Sequence, residues 1–246
     1  TTQVGTLGSI TILEALRNSE KNIKFYQASS SEMFGDVLET PQTIRTPFNP
    51  VSPYAISKLF AHYTTINYRK AYNLFTVSGI CFNHESPLRG EDFITRKITT
   101  GLSKIKAGIL DCLEVGNIDA KRDWGFAGDY VKGMKLMLEH DHPDDWVLAT
   151  GKTHTVKEFV EAAFGEVGLN WKDHVLTSEK YHRPNEVEHL LGDPSKAKKL
   201  LNWQPELDFN GLVKVMVESD LELAEQESVL ISKKLMKPTW EHPITD

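Results

Sequence analysis

The chain has 246 residues, 40% of them apolar and 25% charged, and its 28 basic against 34 acidic side chains leave a formal net charge of −6. This is globular composition, long enough for one large domain or two small ones with a buried core, and it lacks the basic excess of a general nucleic-acid binder. Two cysteines, Cys81 and Cys112, make no disulfide framework and predict a cytoplasmic setting; no run approaches the ~20 apolar residues of a membrane span, and no signal peptide is visible.

Residues 3–18 (QVGTLGSITILEALRN) set Val4, Leu7, Ile10, Ile12, Leu13 and Leu16 near a helical period. Asn22 to Ala28 reads as a short apolar strand, with polar Ser29 to Glu32 at its carboxyl end, the edge where open α/β sheets collect ligands. Residues 36–51 form a loop with Pro and Thr. Ser52 then caps a helix, Pro53 suits its first turn, and the helix runs to about Tyr72. Leu74 to Phe82 is the next buried strand. This strand–helix–strand rhythm predicts an α/β fold, a partial Rossmann-like doubly wound parallel sheet. From about residue 90 a smaller α/β lobe is expected. It holds a helix over Ile94 to Gly108, a strand over Leu113 to Gly116, Arg122-Asp123-Trp124 in a loop, and a helix over Ala127 to Glu139. A strand over Trp146 to Ala149 and a helix over 156–168 capped by Thr155 follow, then Tyr181 to Glu188, a helix over Asp193 to Leu201 and a last one from Asn210 to Glu227. The first residue is Thr and an element is already under way by residue 3, so the expectation is a protein that begins upstream.

The chemistry concentrates around Ser52-Pro53-Tyr54-Ala55-Ile56-Ser57-Lys58. Residues i and i+4 share a helix face, so the phenol of Tyr54 and the ammonium of Lys58 can point into one pocket. A nearby cation favours phenolate, at ~1.4 kcal/mol per pKa unit, and such a tyrosine takes the proton from an alcohol that loses hydride. The bland alternative is a surface Tyr and Lys on an amphipathic helix. Glu32 adds a carboxylate able to remove a proton beside a newly formed ketone and pass it to a leaving hydroxyl; its alternative is a solvated loop carboxylate or a helix-cap partner.

These residues, together with FYQASSSEMFG (25–35), SPYAISKLFAHYTTINYRKAY (52–72), CFNHESPLRGEDFITRKI (81–98), the VGN and RDWG segments (115–117 and 122–125) and RPNEVEHLLGDPSKAKKLLNW (183–203), resemble the GDP-mannose 4,6-dehydratase family of extended short-chain dehydrogenase/reductases. The resemblance runs over nearly the whole chain, and Asn-His-Glu-Ser-Pro and Arg-Pro-x-Glu-Val-Glu set this family apart from related epimerases. It implies a lyase, with Ser30, Glu32, Tyr54 and Lys58 as the catalytic group. Ser30 stands where the family usually has Thr, so the hydroxyl is kept and a methyl lost. By the same resemblance Lys58, His84 and Arg89 contact NADP, and Asn83, Lys97, Asn117, Arg122, Arg183 and Glu186 hold GDP-mannose. Arg122 and Arg183 suit its phosphates because a guanidinium fork matches phosphate oxygens. The residues alone leave Arg122-Asp123 open as a structural ion pair and His84 as a satisfied loop histidine. The implied reaction oxidises C4, eliminates water across C5 and C6, and returns the hydride to C6. No metal is expected, and a homodimer or homotetramer is implied.

The same resemblance places residues 1–90 in the later part of an NADP-binding domain and 91–246 mainly in a substrate-binding lobe, with some segments returning to the sheet. It also implies βα units before residue 1 that carry a glycine-rich phosphate turn, since Gly5 and Gly8 lie inside a helical pattern and no such turn occurs here. Two further readings stand beside the dehydratase: a nucleotide-sugar-binding remnant without turnover, and a related NADP-dependent epimerase or reductase. Glu32 speaks against the last, which needs no elimination base.

Overall fold

The structure, a computed structural model, describes residues 1–178, 187 and 189–235. The chain divides into two compact units built from alternating segments. Thr1–His84, Asp119–Thr155 and Arg183–Phe209 make one; Glu85–Ile118, Val156–His182 and Asn210–Asp246 make the other.

The first unit opens with a π-helical stretch, Gln3–Gly8, that runs straight into α1 (Ser9–Arg17). Next come β1 (Phe25–Ser30), α2 (Pro53–Tyr72) and β2 (Thr76–Cys81). Ser52 caps α2, its Oγ accepting from the Ala55 amide at 3.1 Å, while Pro53 occupies the first turn and left-handed Asn73 ends the helix. A serine cap of this kind contributes about 1 kcal/mol. The chain continues through β3 (Asn83–Glu85), α3 (Ile94–Lys106), β4 (Leu113–Val115), β5 (Lys121–Arg122), β6 (Trp124–Phe126) and α4 (Ala127–Glu139). After these lie β7 (Asp145–Leu148), β8 (His154–Thr155), α5 (Val156–Glu166), β9 (Val175–Thr177), α6 (Ser195–Leu201) and α7 (Phe209–Ser232).

In the first unit β1, β2 and β7 form a parallel sheet in that order. Every residue of β2 is buried, the mark of a strand covered on both faces. The two-residue side-chain period sorts the core accordingly. Val77, Cys81, Trp146 and Leu148 pack with Tyr130 and Met137 of α4 and Ala197 and Leu201 of α6, whereas Ile80, Val147 and Ala149 pack with Met33, Phe34 and Phe82. The sheet is Rossmann-like, as the strand–helix–strand rhythm predicts.

Two local readings need correction. The first strand lies over Phe25–Ser30 rather than Asn22 to Ala28, because its parallel register begins at Phe25↔Thr76 and ends at Ser30↔Cys81. Ser29 and Ser30 are therefore strand residues. Arg122-Asp123-Trp124 is not plain loop either: Lys121 and Arg122 pair antiparallel with Thr155 and His154 in β8. That pairing also puts Thr155 in a strand just ahead of α5.

The second unit packs α3 against α5 and pairs β4 with β9 in parallel. Its core includes Ile98, Leu102, Phe159, Val160, Phe164, Leu212 and Met216. Inside that core Arg96 forms an ion pair with Asp220 at 2.8 Å. Among the described residues no helix is long and apolar enough to cross a membrane.

Gly35, at the end of the 3-10 turn Ser31–Phe34, adopts φ 55° and ψ −120°. A Cβ there would fall 1.9 Å from the Asn49 carbonyl oxygen. Gly35→Ala should lower the unfolding free energy by about 2 kcal/mol or more, measured by urea titration of the purified protein; an unchanged midpoint would show that the turn relaxes freely.

Candidate active site

β1 ends in Ser29-Ser30, and the chain then turns at once into the 3-10 segment that carries Glu32. Ser30 Oγ caps that turn by accepting from the Glu32 amide at 3.2 Å, so this hydroxyl and the carboxylate-bearing residue form one local unit. α2 supplies the other half. Lys58 Nζ donates to the Ala28 carbonyl of β1 at 3.0 Å and lies 5.6 Å from the centroid of the Tyr54 ring. The helix spacing thus sets phenol and ammonium side by side, and one hydrogen bond fastens them to the strand that bears Ser30. Tyr54 is 46% exposed, while Lys58 is half-buried.

Burial lowers the Lys58 pKa, and the nearby Cys81 works in the opposite direction. Cys81 itself is pushed up to about 11 by burial, against the Tyr26 hydroxyl 3.4 Å away. Cys81 therefore stays a thiol at neutral pH, and Lys58 is the basic side chain of this corner.

Asn83 and His84 follow the carboxyl end of β2. Asn83 Oδ1 is buried and has no hydrogen-bond partner among the described residues. His84 donates from Nδ1 to the Phe82 carbonyl at 2.9 Å and stacks on Tyr130, centroids 5.0 Å apart. Arg122 lies in β5 and donates from Nη1 to the Lys121 carbonyl at 2.9 Å. Its neighbour Asp123 is fully buried and accepts from Thr150 N and Oγ1 on one oxygen and from Gly151 N and Gly192 N on the other. Burial raises its pKa in spite of those bonds.

The other candidates belong to the second unit. Arg89 Nε stands 3.2 Å from Glu85 Oε2, and its guanidinium lies over the Phe93 ring at 3.5 Å. Arg96 braces the same turn by donating to the carbonyls of Pro87 and Arg89. Lys97 is on α3 and Asn117 lies just after β4, both half-buried. Arg183 and Glu186 fall outside the described residues.

A family model described as GDP-mannose 4,6 dehydratase matches residues 1–216. The chain belongs to this family. GDP-mannose 4,6 dehydratase 1 of Arabidopsis thaliana is 56% identical over 234 residues, 94% of this chain and 64% of that protein. GDP-mannose 4,6 dehydratase of Homo sapiens is 48% identical over 242 residues, 91% of this chain and 65% of that one. The chain thus spans a little under two thirds of the length of these relatives. Among solved structures, RMD from Pseudomonas aeruginosa complexed with NADPH superimposes with a TM-score of 0.84 at 22% identity, covering 91% of this chain and 75% of that one. The dTDP-glucose 4,6-dehydratase of Bacillus anthracis, in complex with NAD, gives 0.80 at 22%, covering 91% and 70%. At that identity the likeness is one of fold.

Sequence reasoning missed several polar residues that build this dehydratase-family framework. Gln42, fully buried, exchanges backbone hydrogen bonds with Leu191 and Asp193 and accepts the Leu191 amide on Oε1. With Asp123 it clasps Gly192, which follows Leu190 and Leu191. His62, one helical turn beyond Lys58, is buried against Ser29 and Ser78. The i+4 spacing from Lys58 is a sequence signal that could have found it. Among the described residues no group of three or more His, Cys, Asp or Glu is placed to hold a metal.

Burial lowers the pKa of His62 from the ordinary 6.5. The unfolded chain then binds the proton more readily, so the stabilisation from neutral His62 is complete above that value and is lost as the pH falls below it. The stability advantage of wild type over His62→Gln should therefore shrink as the pH drops below 6.5, followed by urea unfolding across pH; an advantage that grows on acidification would contradict a buried neutral ring.

Proposed function

We propose that this chain forms the catalytic and sugar-nucleotide-binding part of an NADP-dependent GDP-mannose 4,6-dehydratase. The observation that carries this reading is the bond from Lys58 to the Ala28 carbonyl. It brings the Tyr54–Lys58 pair of α2 to the strand end where Ser30 and Glu32 stand. The family membership supplies the substrate class.

The residues present fit a nicotinamide nucleotide. An ammonium has three N–H donors, and Lys58 spends one on Ala28, which leaves two suited to the ribose diol. His84 and Arg89 would contact the same cofactor, Arg89 through a guanidinium already held by Glu85 and Phe93. When bound, the nicotinamide supplies reversible hydride transfer with the hexose.

The side chains do the proton work. Tyr54, beside the Lys58 charge, takes the proton of the C4 hydroxyl. Ser30 donates a hydrogen bond to the C4 oxygen and stabilises the charge developing there. Oxidation at C4 acidifies C5; Glu32 removes that proton and passes it to the C6 hydroxyl, which departs as water. Asn83, with its buried unpaired amide oxygen, Lys97, Asn117, Arg122, Arg183 and Glu186 hold GDP-mannose in this reading.

Residues 1–90 then belong to the cofactor-binding domain and 91–246 mainly to the substrate lobe. The packing of β7, α4 and α6 with β2 in the first unit supports the return of later segments to the sheet. Self-association as a homodimer or homotetramer is supported by α2, whose exposed Ile56, Phe60 and Tyr63 line an open groove with Leu59, Thr64 and Asn67. The two free thiols, Cys81 and Cys112, suit a cytoplasmic home.

In the full-length protein, Glu32→Gln should bind GDP-mannose within about threefold of wild type yet lose on the order of 10²–10⁴ in product formation, read by chromatography of the sugar nucleotides. Product formation at the wild-type rate would remove Glu32 from the mechanism.

A further inference from the structure

His62, Ser29 and Ser78 form a closed polar cluster beneath the catalytic corner. Ser29 Oγ lies 3.1 Å from His62 Nδ1 and 2.7 Å from Ser78 Oγ, and His62 Nδ1 lies 2.7 Å from Ser78 Oγ. All three residues are buried, and the imidazole meets the Phe48 ring edge-on at 5.3 Å. The proposed proton and hydride chemistry uses none of them.

The cluster joins three elements. His62 is on α2, Ser29 on β1 and Ser78 on β2, where β1 and β2 are already paired along the ladder. Ser29 sits between Ala28, whose carbonyl receives Lys58, and Ser30, whose hydroxyl caps the Glu32 turn. His62 sits four residues beyond Lys58 on the same helix. The helix therefore grips the strand twice, at Lys58–Ala28 and at His62–Ser29, one residue apart along β1.

Farther along, α2 is held to the start of β2 by the Thr76 hydroxyl on the Thr65 carbonyl and by Arg69 on the Thr76 carbonyl and Asp145, so Lys58 and His62 set its N-terminal half against the end of β1. A buried hydroxyl–imidazole cluster suits this task because each of its atoms is satisfied only in one mutual arrangement, and a shifted register leaves polar groups unpaired in an apolar shell. A leucine in place of His62 would fill the space without selecting the register. What the second tie fixes is the position of the α2 pair, Tyr54 and Lys58, relative to the β1 pair, Ser30 and Glu32.

We infer that His62, acting through Ser29 and Ser78, is a positioning residue that sets the register between the C4-oxidising pair on α2 and the eliminating carboxylate after β1. The inference rests on the dehydratase reading, and its test keeps the two apart.

His62→Leu and His62→Gln are compared with wild type in the full-length protein, with GDP-mannose and NADP. The expectation is a tenfold or greater fall in kcat for His62→Leu with KM changed less than threefold, as a displacement of the reacting groups by about 1 Å costs up to ~10²-fold. Glutamine, which restores a side-chain donor and acceptor, should recover most of the loss. Amide hydrogen exchange decides the point without substrate: His62→Leu should speed exchange at Ser30 to Phe34 at least tenfold and leave Val77 to Cys81 unchanged. The inference is overturned if exchange at Ser30 to Phe34 is unchanged. It also falls if kcat declines only with the folded fraction and glutamine does no better than leucine. A wild type without GDP-mannose turnover refutes the dehydratase reading instead, and the exchange result then decides by itself whether His62 holds β1.

Discussion

The site depends on one packing relation, the seating of α2 along β1 and β2 with Lys58 on β1 near its carboxyl end and Thr65 and Arg69 at Thr76, where β2 begins. The strand pair is fixed by an unbroken parallel ladder from Phe25↔Thr76 to Ser30↔Cys81. The helix is fixed by its Ser52–Pro53 start, by Lys58 on the Ala28 carbonyl, by the His62 cluster and, farther along, by Thr65 and Arg69 on Thr76. Every group of the proposed chemistry is delivered by these elements or by the turn that directly follows β1. A phenol four residues before a lysine is useful only when the pair is held at a strand end, and here the Ala28 carbonyl holds the lysine, with the Tyr54 ring centroid 5.6 Å from its ammonium.

Around this relation the fold holds its irregular segments with buried charges that reach backbone rather than with apolar contact alone. Asp123 gathers the amides of Thr150, Gly151 and Gly192 and so joins three stretches remote in sequence. In the second unit Asp220 accepts both Arg96 and the Thr99 hydroxyl, and Arg96 carries the turn that includes Arg89. Removing one partner of such a buried pair costs roughly 3–5 kcal/mol, whereas pairs open to water contribute little. These carboxylates organise loops next to candidate ligand-binding residues. Asp123 is bound to backbone and to Thr150, and this accounts for its burial without a direct contact to ligand.

Much of this was legible in the chain. The Ser-Pro start of α2, the apolar run of β2 and the polar strand end at Ser29 to Glu32 each follow from residue type and spacing, and together they define a parallel α/β sheet. Strand ends were less legible, since the register of β1 is set by a partner about 50 residues away; that is why Ser29 and Ser30 proved to be ladder residues. The β5–β8 pairing was hidden because two-residue strands have no period to read. Least visible were the polar residues that act by burial. His62, Gln42 and Asp123 look like ordinary surface residues until the fold surrounds them, and the i+4 interval from Lys58 to His62 is as common on solvent-facing helices. The family resemblance, by contrast, rested on long specific runs, and membership followed from them.

The convergence of Tyr54, Ser30 and Glu32 on one hexose is tested most directly by a crystal structure of the full-length protein with NADP and GDP-mannose bound. The account predicts the C4 hydroxyl within hydrogen-bond reach of both the Tyr54 and Ser30 oxygens, with the Glu32 carboxylate against the C5–C6 edge of the sugar. A hexose seated away from Tyr54, or Glu32 directed to solvent while the sugar is bound, would contradict it.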